Sequence, residues 1–288
     1  MTNVVEEEKT ATLVYVVAAF AALCACSWGY DAGISSSILF RLQLEGGGVE
    51  MNDVQLEIFV GAMTLFSIPG ALFAYSIIDN LGRLRTFSFS ATMLISGILL
   101  TVSSSNFAMM VSGRAVMGVG AGIASVVDGL YISECSPPRI RGRLVSYSST
   151  AFTIGLFVGF GIGALFQSIS EEDDDGDERI SNDRAWRYML ATSTFMPALM
   201  ILLIACGAVP ESPRFLILQG RIRDAELSLQ RLRPHVSASD IAQEASDIAV
   251  EHKAELLNSR HRTNSWRYML LTPPPYLRRM LVVGVGSR

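Results

Sequence analysis

Two residues of opposite charge, Asp31 and Arg114, stand inside long apolar runs. A charge in hydrocarbon needs a partner, and each is a candidate for the other. Asp31 lies about eight residues from the outer end of the first run, a depth of roughly 12 Å at helical rise. Arg114 lies about seven residues into the fourth run, which crosses in the opposite sense, so the two reach similar depth. At an effective dielectric of roughly 20, such a pair ~4 Å apart attracts by about 4 kcal/mol. The arginine favours the ionised carboxylate while burial favours the neutral acid, a balance in which Asp31 can accept a proton and release its arginine. The same spacing also suits a static ion pair that only orients two helices. Asp128 stands fourteen residues after Arg114, within about 40° of the same helix face. It reads either as part of a polar path or as an acid wetted from the inner surface.

The fifth apolar run repeats glycine every four residues, at Gly155, Gly159 and Gly163. That pattern bares backbone on one face and predicts a packing seam. The facing positions Ser149, Phe152 and Thr153 are then expected to line a cavity whose small polar and aromatic groups suit a polyhydroxylated ligand. Gly118, Gly120 and Gly122 thin about one turn of the fourth run in the same way. The sequence holds no nucleophile-and-base spacing, P-loop, dinucleotide fingerprint or metal-ligand pair, so neither enzyme nor cofactor nor metal is expected. Cys24, Cys26, Cys135 and Cys206 lie in or beside apolar runs and do not form a disulfide framework.

Membrane-crossing helices must position these residues. Of 288 residues, 50% are hydrophobic and 17% charged, with a mean hydropathy of +0.37, whereas a soluble domain carries about 25% charge. Six stretches are long enough to span a bilayer: 12–39, 54–78, 86–104, 107–132, 145–169 and 186–209. Glu6, Glu7 and Glu8 make the leading region acidic, which excludes a signal peptide and predicts a retained first span. Arg83 and Arg85, then Arg139, Arg141 and Arg143, then Arg214, Arg221, Arg223, Arg231 and Arg233 mark alternate connections. The opposite loops are poor in basic residues, and 171–178 holds seven acids in eight positions. Both ends of the bundle are therefore expected in the cytoplasm. The acidic loop reads as a solvated tether or as a concentrator of cations at an external mouth. A net charge of −4 without a basic face gives no nucleic-acid partner.

Beyond the sixth span, 212–233 reads as one amphipathic helix with apolar residues at helical spacing and arginines between them. Pro234 ends it, and 239–258 carries a second, acidic helical pattern. His235, His252 and His261 are scattered there as surface residues. Pro273 to Pro275 forbid helix, and 276–286 opens a new apolar stretch.

The landmarks together resemble the sugar porter family of the major facilitator superfamily. The matching pieces are Gly29-Tyr30-Asp31, Asp79 through Gly82-Arg83, Gly113-Arg114 with its glycines, Tyr131-Ile-Ser-Glu134 through Pro138 to Arg141-Gly142, and Pro210-Glu211-Ser212-Pro213-Arg214. The resemblance implies twelve spans in two six-span bundles, with substrate held between them. It implies that Asp31 takes a coupling proton and pairs with Arg114. It also implies that Asp79, Arg83, Glu134, Arg141, Glu211 and Arg214 form a cytoplasmic charge network, the gate that holds the outward-facing state. Trp28 stands where the family commonly has a sugar-touching phenylalanine. The sequence departs from the family pattern at Ser149, where hexose carriers have a glutamine, and at Gly129 and Tyr75. Asp128 replaces a small uncharged residue.

The expected protein is an all-α membrane protein, a six-transmembrane-helix bundle that is the N-terminal half of the twelve-span major facilitator fold. Its parts are a cytoplasmic N-terminus (1–10), the bundle (11–209), a cytoplasmic helical linker (210–275) and the start of a seventh span (276–288). Its expected function is transport of a sugar or polyol by proton symport, with Trp28, Ser149, Phe152 and Thr153 binding substrate and Asp31 and Arg114 coupling the proton. The alternative is a non-transporting half-porter that acts as a sensor or as partner of a full-length carrier. The expected partners are the sugar or polyol, the proton, the lipid bilayer, and the missing C-terminal bundle or a second half-porter. The second half-porter predicts crosslinks between chains at Gly159 or Gly163. The expected location is the plasma membrane, with a vacuolar or other organelle membrane as the alternative.

Overall fold

The computed structural model describes residues 12–43, 51–137, 139–171, 182–234 and 236–262. The N-terminal stretch 1–10, most of the acidic loop, His235 and the apolar stretch 276–286 lie outside the described residues, as do the side chains of His252 and His261. Every described element is helical: α1 (Thr12–Gln43), α2 (Asp53–Leu81), α3 (Arg83–Val102), α4 (Phe107–Cys135), α5 (Arg141–Glu171), α6 (Asn182–Thr192), α7 (Phe195–Ala205), α8 (Pro213–Leu218), α9 (Ile222–Leu232) and α10 (Ala238–Arg262). Six stretches are long and apolar enough to cross a membrane, with α6 and α7 together forming the sixth. Many large apolar side chains face outward, among them Leu65 and Leu72 on α2 and Phe157 and Leu165 on α5. Such faces suit lipid contact and are unsuited to water.

Glycine sets how the helices approach. α1 lies along α5. A Cβ at Gly155 would run into the carbonyl of Cys26, one at Gly159 into that of Tyr30, and one at Gly163 into Ser37. From the other side, Gly29 meets the Phe152 carbonyl and Gly33 that of Leu156. The expected seam on the fifth span is therefore real, and its partner is α1 of the same chain. This corrects the crosslinking expectation: Gly159 and Gly163 are buried within the bundle, so cysteines there would not face a second copy. α4 sits between α2 and α3. Gly118 and Gly122 meet the carbonyls of Met63 and Ser67 on α2, while Gly120 faces Ser90 and Met93 on α3. The glycine run thus serves two neighbours, because residues two apart on a helix point in different directions.

The sixth span is broken at Ser193–Thr194. Pro197, early in α7, has no N–H and its ring crowds the carbonyl four residues back, at Ser193. The chain turns there through bonds from Ser193 N to Leu190 O (3.0 Å) and Thr194 N to Ala191 O (3.1 Å). The helix expected over 212–233 is likewise two. Gly220 adopts φ +73°, a left-handed conformation that ends α8, and α9 starts afresh at Ile222.

Two apolar clusters fill the bundle. One is built on Phe20, Phe87 and Tyr131, whose rings meet edge to face at centroid distances of 5.2 to 6.2 Å. The other gathers Phe59, Met110, Met117 and Trp186 towards the opposite end. The central cavity lies between them and draws wall residues from both.

Candidate functional site

The cavity has a volume of about 450 Å³. α1 contributes Trp28 and Asp31 to its wall, α4 contributes Asp128, and α5 contributes Ser149, Phe152 and Thr153. The rings of Trp28 and Phe152 stand edge to face, 6.1 Å between centroids. All four residues expected to contact substrate therefore share one cavity. They do so because the α1–α5 seam is stripped of side chains: backbone contact at Gly29 and Gly155 brings the two aromatics together. Asp31 also borders a smaller chamber of about 110 Å³ on the Arg114 side.

Asp31 and Arg114 form the ion pair expected from their depths. Arg114 Nη1 donates to Asp31 Oδ2 at 2.6 Å, and both residues are buried. Nη2 donates to Ser35 Oγ at 2.8 Å. The guanidinium carbon lies 4.3 Å from the Phe59 ring centroid, a cation–π contact in a dry setting. Asp31 Oδ1 and Arg114 Nε are buried without a hydrogen-bond partner. The pair is thus incompletely satisfied, with one carboxylate oxygen spare.

A second polar cluster lies at the end carrying the α2–α3 and α4–α5 turns. Arg83 grips Glu134 through two bonds, Nε to Oε2 at 2.7 Å and Nη2 to Oε1 at 2.6 Å, a bidentate geometry suited to arginine. Asp79 stands 3.4 Å from Arg83 Nη1. Glu211 plays a role the sequence did not suggest. Gly82, with φ +87°, precedes α3 and has no side chain to cap it. Glu211 Oε1 instead accepts from the backbone N–H groups of Arg83 (3.1 Å) and Leu84 (3.3 Å). A carboxylate at a helix N-terminus also complements the helix dipole. Ser212 donates to Glu134, and Tyr131 donates to the Pro210 carbonyl at 2.6 Å. Arg214 lines the same recess as Arg83 and Glu134. Arg141 departs from the expectation: it begins α5, is exposed, and no ion pair among the described residues joins it to the cluster. It is exposed on the first turn of α5, so the network seen here is Asp79, Arg83, Glu134, Glu211 and Ser212, with Arg214 bordering the same recess.

Burial pushes the Glu211 carboxyl above its ordinary range, against the lowering effect of the N–H groups of Ser212, Leu84 and Arg83 and the Arg83 charge. The folded protein therefore holds this proton more tightly than the unfolded chain, and stability from this group rises as pH falls through the raised value. Glu211→Gln keeps an acceptor for α3 and removes the buried charge. Its thermal unfolding at pH 7 should lie within about 0.5 kcal/mol of the parent, with a flatter pH dependence; Glu211→Ala should lose about 1–2 kcal/mol. Equal losses in the two variants would mean that charge, not capping, is what matters.

Six spans packed around a cavity of apolar, aromatic and hydroxyl groups, with a buried ion pair and a charged cluster at one end, define a multi-pass integral membrane protein of the major facilitator class, its N-terminal half. Solved structures agree on the fold. The chain is similar to the proton:xylose symporter XylE bound to 6-bromo-6-deoxy-D-glucose, with TM-score 0.74 and 21% identity over 91% of this chain and 57% of that one. The inward-open xylose transporter XylE from E. coli matches at TM-score 0.66 and 23% identity, over 83% of this chain and 56% of that one. Residues 17–286 match the family described as Sugar (and other) transporter, and the chain belongs to that family. Among curated relatives it is 29% identical to a probable polyol transporter 4 of Arabidopsis thaliana, over 98% of this chain and 50% of that protein. It is also 29% identical to myo-inositol transporter 1 of Cryptococcus neoformans, over 97% of this chain and 47% of that protein. The chain spans about half the length of the curated relatives it matches.

Proposed function

We propose that this chain supplies the N-terminal bundle of a proton-coupled sugar or polyol transporter. The observation that carries the proposal is the buried Asp31–Arg114 pair on the border of a cavity walled by aromatic rings and hydroxyls. The relatives named as polyol and inositol transporters support the substrate class.

In this reading a proton binds Asp31 at Oδ1, the oxygen with no partner. The carboxylate charge is lost and the attraction to Arg114 falls to that of a neutral hydrogen bond. Arg114 remains held by Ser35 and by the face of Phe59. Trp28 and Phe152 offer ring faces to the C–H surface of a polyol, while Ser149 and Thr153 offer hydroxyls to its O–H groups. Arginine bias orients the clustered end towards the cytoplasm. There Asp79, Arg83, Glu134, Glu211 and Arg214 act as the gate that holds the outward-facing state. Alternating access rocks this bundle against a second one around the shared site.

The test is uptake of radiolabelled myo-inositol by vesicles bearing the chain completed with a relative's second bundle. Uptake should rise as external pH falls, and Asp31→Asn should flatten that dependence while substrate exchange persists. A pH profile unchanged by Asp31→Asn would reduce the pair to a structural one.

A further inference from the structure

The wall of the central cavity carries a second carboxylate, and among the described residues this one has no counter-charge. Asp128 on α4 is buried, with 8% of its surface exposed. Among the described residues its one side-chain hydrogen bond comes from Ser148 Oγ on α5, 3.3 Å from Oδ1, and none engages Oδ2. Among the described residues, none of the ion pairs involves Asp128. Among the described residues, the cavity wall has no lysine, arginine or histidine. Asp31, the other acid facing the cavity, is already matched by Arg114, which lines the smaller chamber instead. The remaining polar groups facing in from α1, α5 and the break in the sixth span are neutral: serine and threonine hydroxyls and the Cys24 thiol.

A buried carboxylate without a counter-charge is strongly unfavourable unless something neutralises it. The same wall presents the indole of Trp28 and the ring of Phe152. An unmatched carboxylate beside aromatic faces is a combination suited to an organic ammonium ion. Hydroxyls on α5 complete a wall for a ligand that is both cationic and polyhydroxylated.

We propose that this cavity takes a polyhydroxylated ligand bearing an ammonium group, an amino sugar or amino polyol, with Asp128 as the counter-charge to the ammonium. The inference rests on the reading that the cavity is the substrate site. The ammonium donates to Oδ2 while Ser148 holds Oδ1, and the ring hydroxyls reach Ser149 and Thr153. Asp128 is thus a specificity residue, separate from the Asp31–Arg114 pair that handles the proton.

The test is isothermal titration of the purified chain in lipid nanodiscs with D-glucosamine, D-glucose and N-acetyl-D-glucosamine, at about pH 7, where such an amine is still mostly protonated. Glucosamine should bind about tenfold more tightly than glucose, the difference between a charge-assisted and a neutral hydrogen bond. N-acetylglucosamine, which has lost the charge, should show no such gain. Asp128→Asn should abolish the preference and Asp128→Glu should keep it. The comparison of sugars on the unaltered chain does not depend on any variant folding. Equal affinity for glucosamine and glucose would overturn this inference and leave the cavity as a neutral-polyol site. A preference unchanged in Asp128→Asn would overturn it too. Saturable binding of none of the three would overturn both it and the cavity's role as the substrate site.

Discussion

Replacing Arg114 with leucine is expected to lower the stability of the bundle by about 3–5 kcal/mol, because it leaves the Asp31 carboxylate buried without its partner. The guanidinium contributes a 2.6 Å bond to Asp31, a bond to Ser35 and a contact with the face of Phe59, and leucine replaces none of the polar ones. Asp31→Asn should be milder, since the amide oxygen can still accept from Arg114. The informative variant is the double one, Asp31→Asn with Arg114→Leu. Removing both charges eliminates the uncompensated ion, so the double variant should be more stable than Arg114→Leu alone by about 2 kcal/mol or more. Thermal unfolding of the detergent-solubilised protein, run as a double-mutant cycle, reads this directly. Additive losses would mean that the two residues do not stabilise one another, and the ion pair would lose its place as the energetic centre of the bundle.

The second large effect is expected at Gly122. A Cβ added there would meet the Ser67 carbonyl on α2, and backbone cannot turn aside as a side chain can. Gly122→Ala should therefore cost about 2 kcal/mol or more through overpacking. Gly129 lies on the same helix with open space where its Cβ would be. Gly129→Ala should stabilise by about 0.5–1 kcal/mol, because alanine has the higher helix propensity and nothing obstructs it. The pair is an internal control, since both substitutions are glycine to alanine in α4. Equal outcomes at the two sites in the same unfolding assay would contradict the seam geometry.

Much of this arrangement could be read from the sequence, and the parts that could not have physical causes. The spans follow from apolar length alone, and the Asp31–Arg114 pair from counting residues to the membrane surface. The cavity positions 149, 152 and 153 followed from the glycine period opposite them. Helix breaks were harder. Gly220 and Pro197 were visible, yet apolar periodicity continues across Gly220 and hydrophobicity continues across Pro197, so both breaks were passed over. The cap from Glu211 to α3 joins residues far apart in the chain and acts on backbone N–H groups, which carry no sequence label. Arg141 was grouped with the charged cluster by resemblance, but it is exposed on the first turn of α5. For Asp128, spacing and depth suit both a polar path and an acid wetted from the inner surface. The packing of α4 against α5 brings it into the cavity wall, which favours the first of these.

The glycine seams also constrain how this bundle can move. Along α1–α5 and α2–α4 each notch accepts the backbone of the neighbour, at Gly29, Gly33, Gly155 and Gly159 in one seam and Gly70, Gly118 and Gly122 in the other. Notches one turn apart work as detents: a helix that slides by less than a full turn, about 5.4 Å, drives a side chain into its neighbour's carbonyls. Small axial slips between these helices are therefore blocked. The low-cost displacement is one that carries the helices of each seam together, as a single rigid piece.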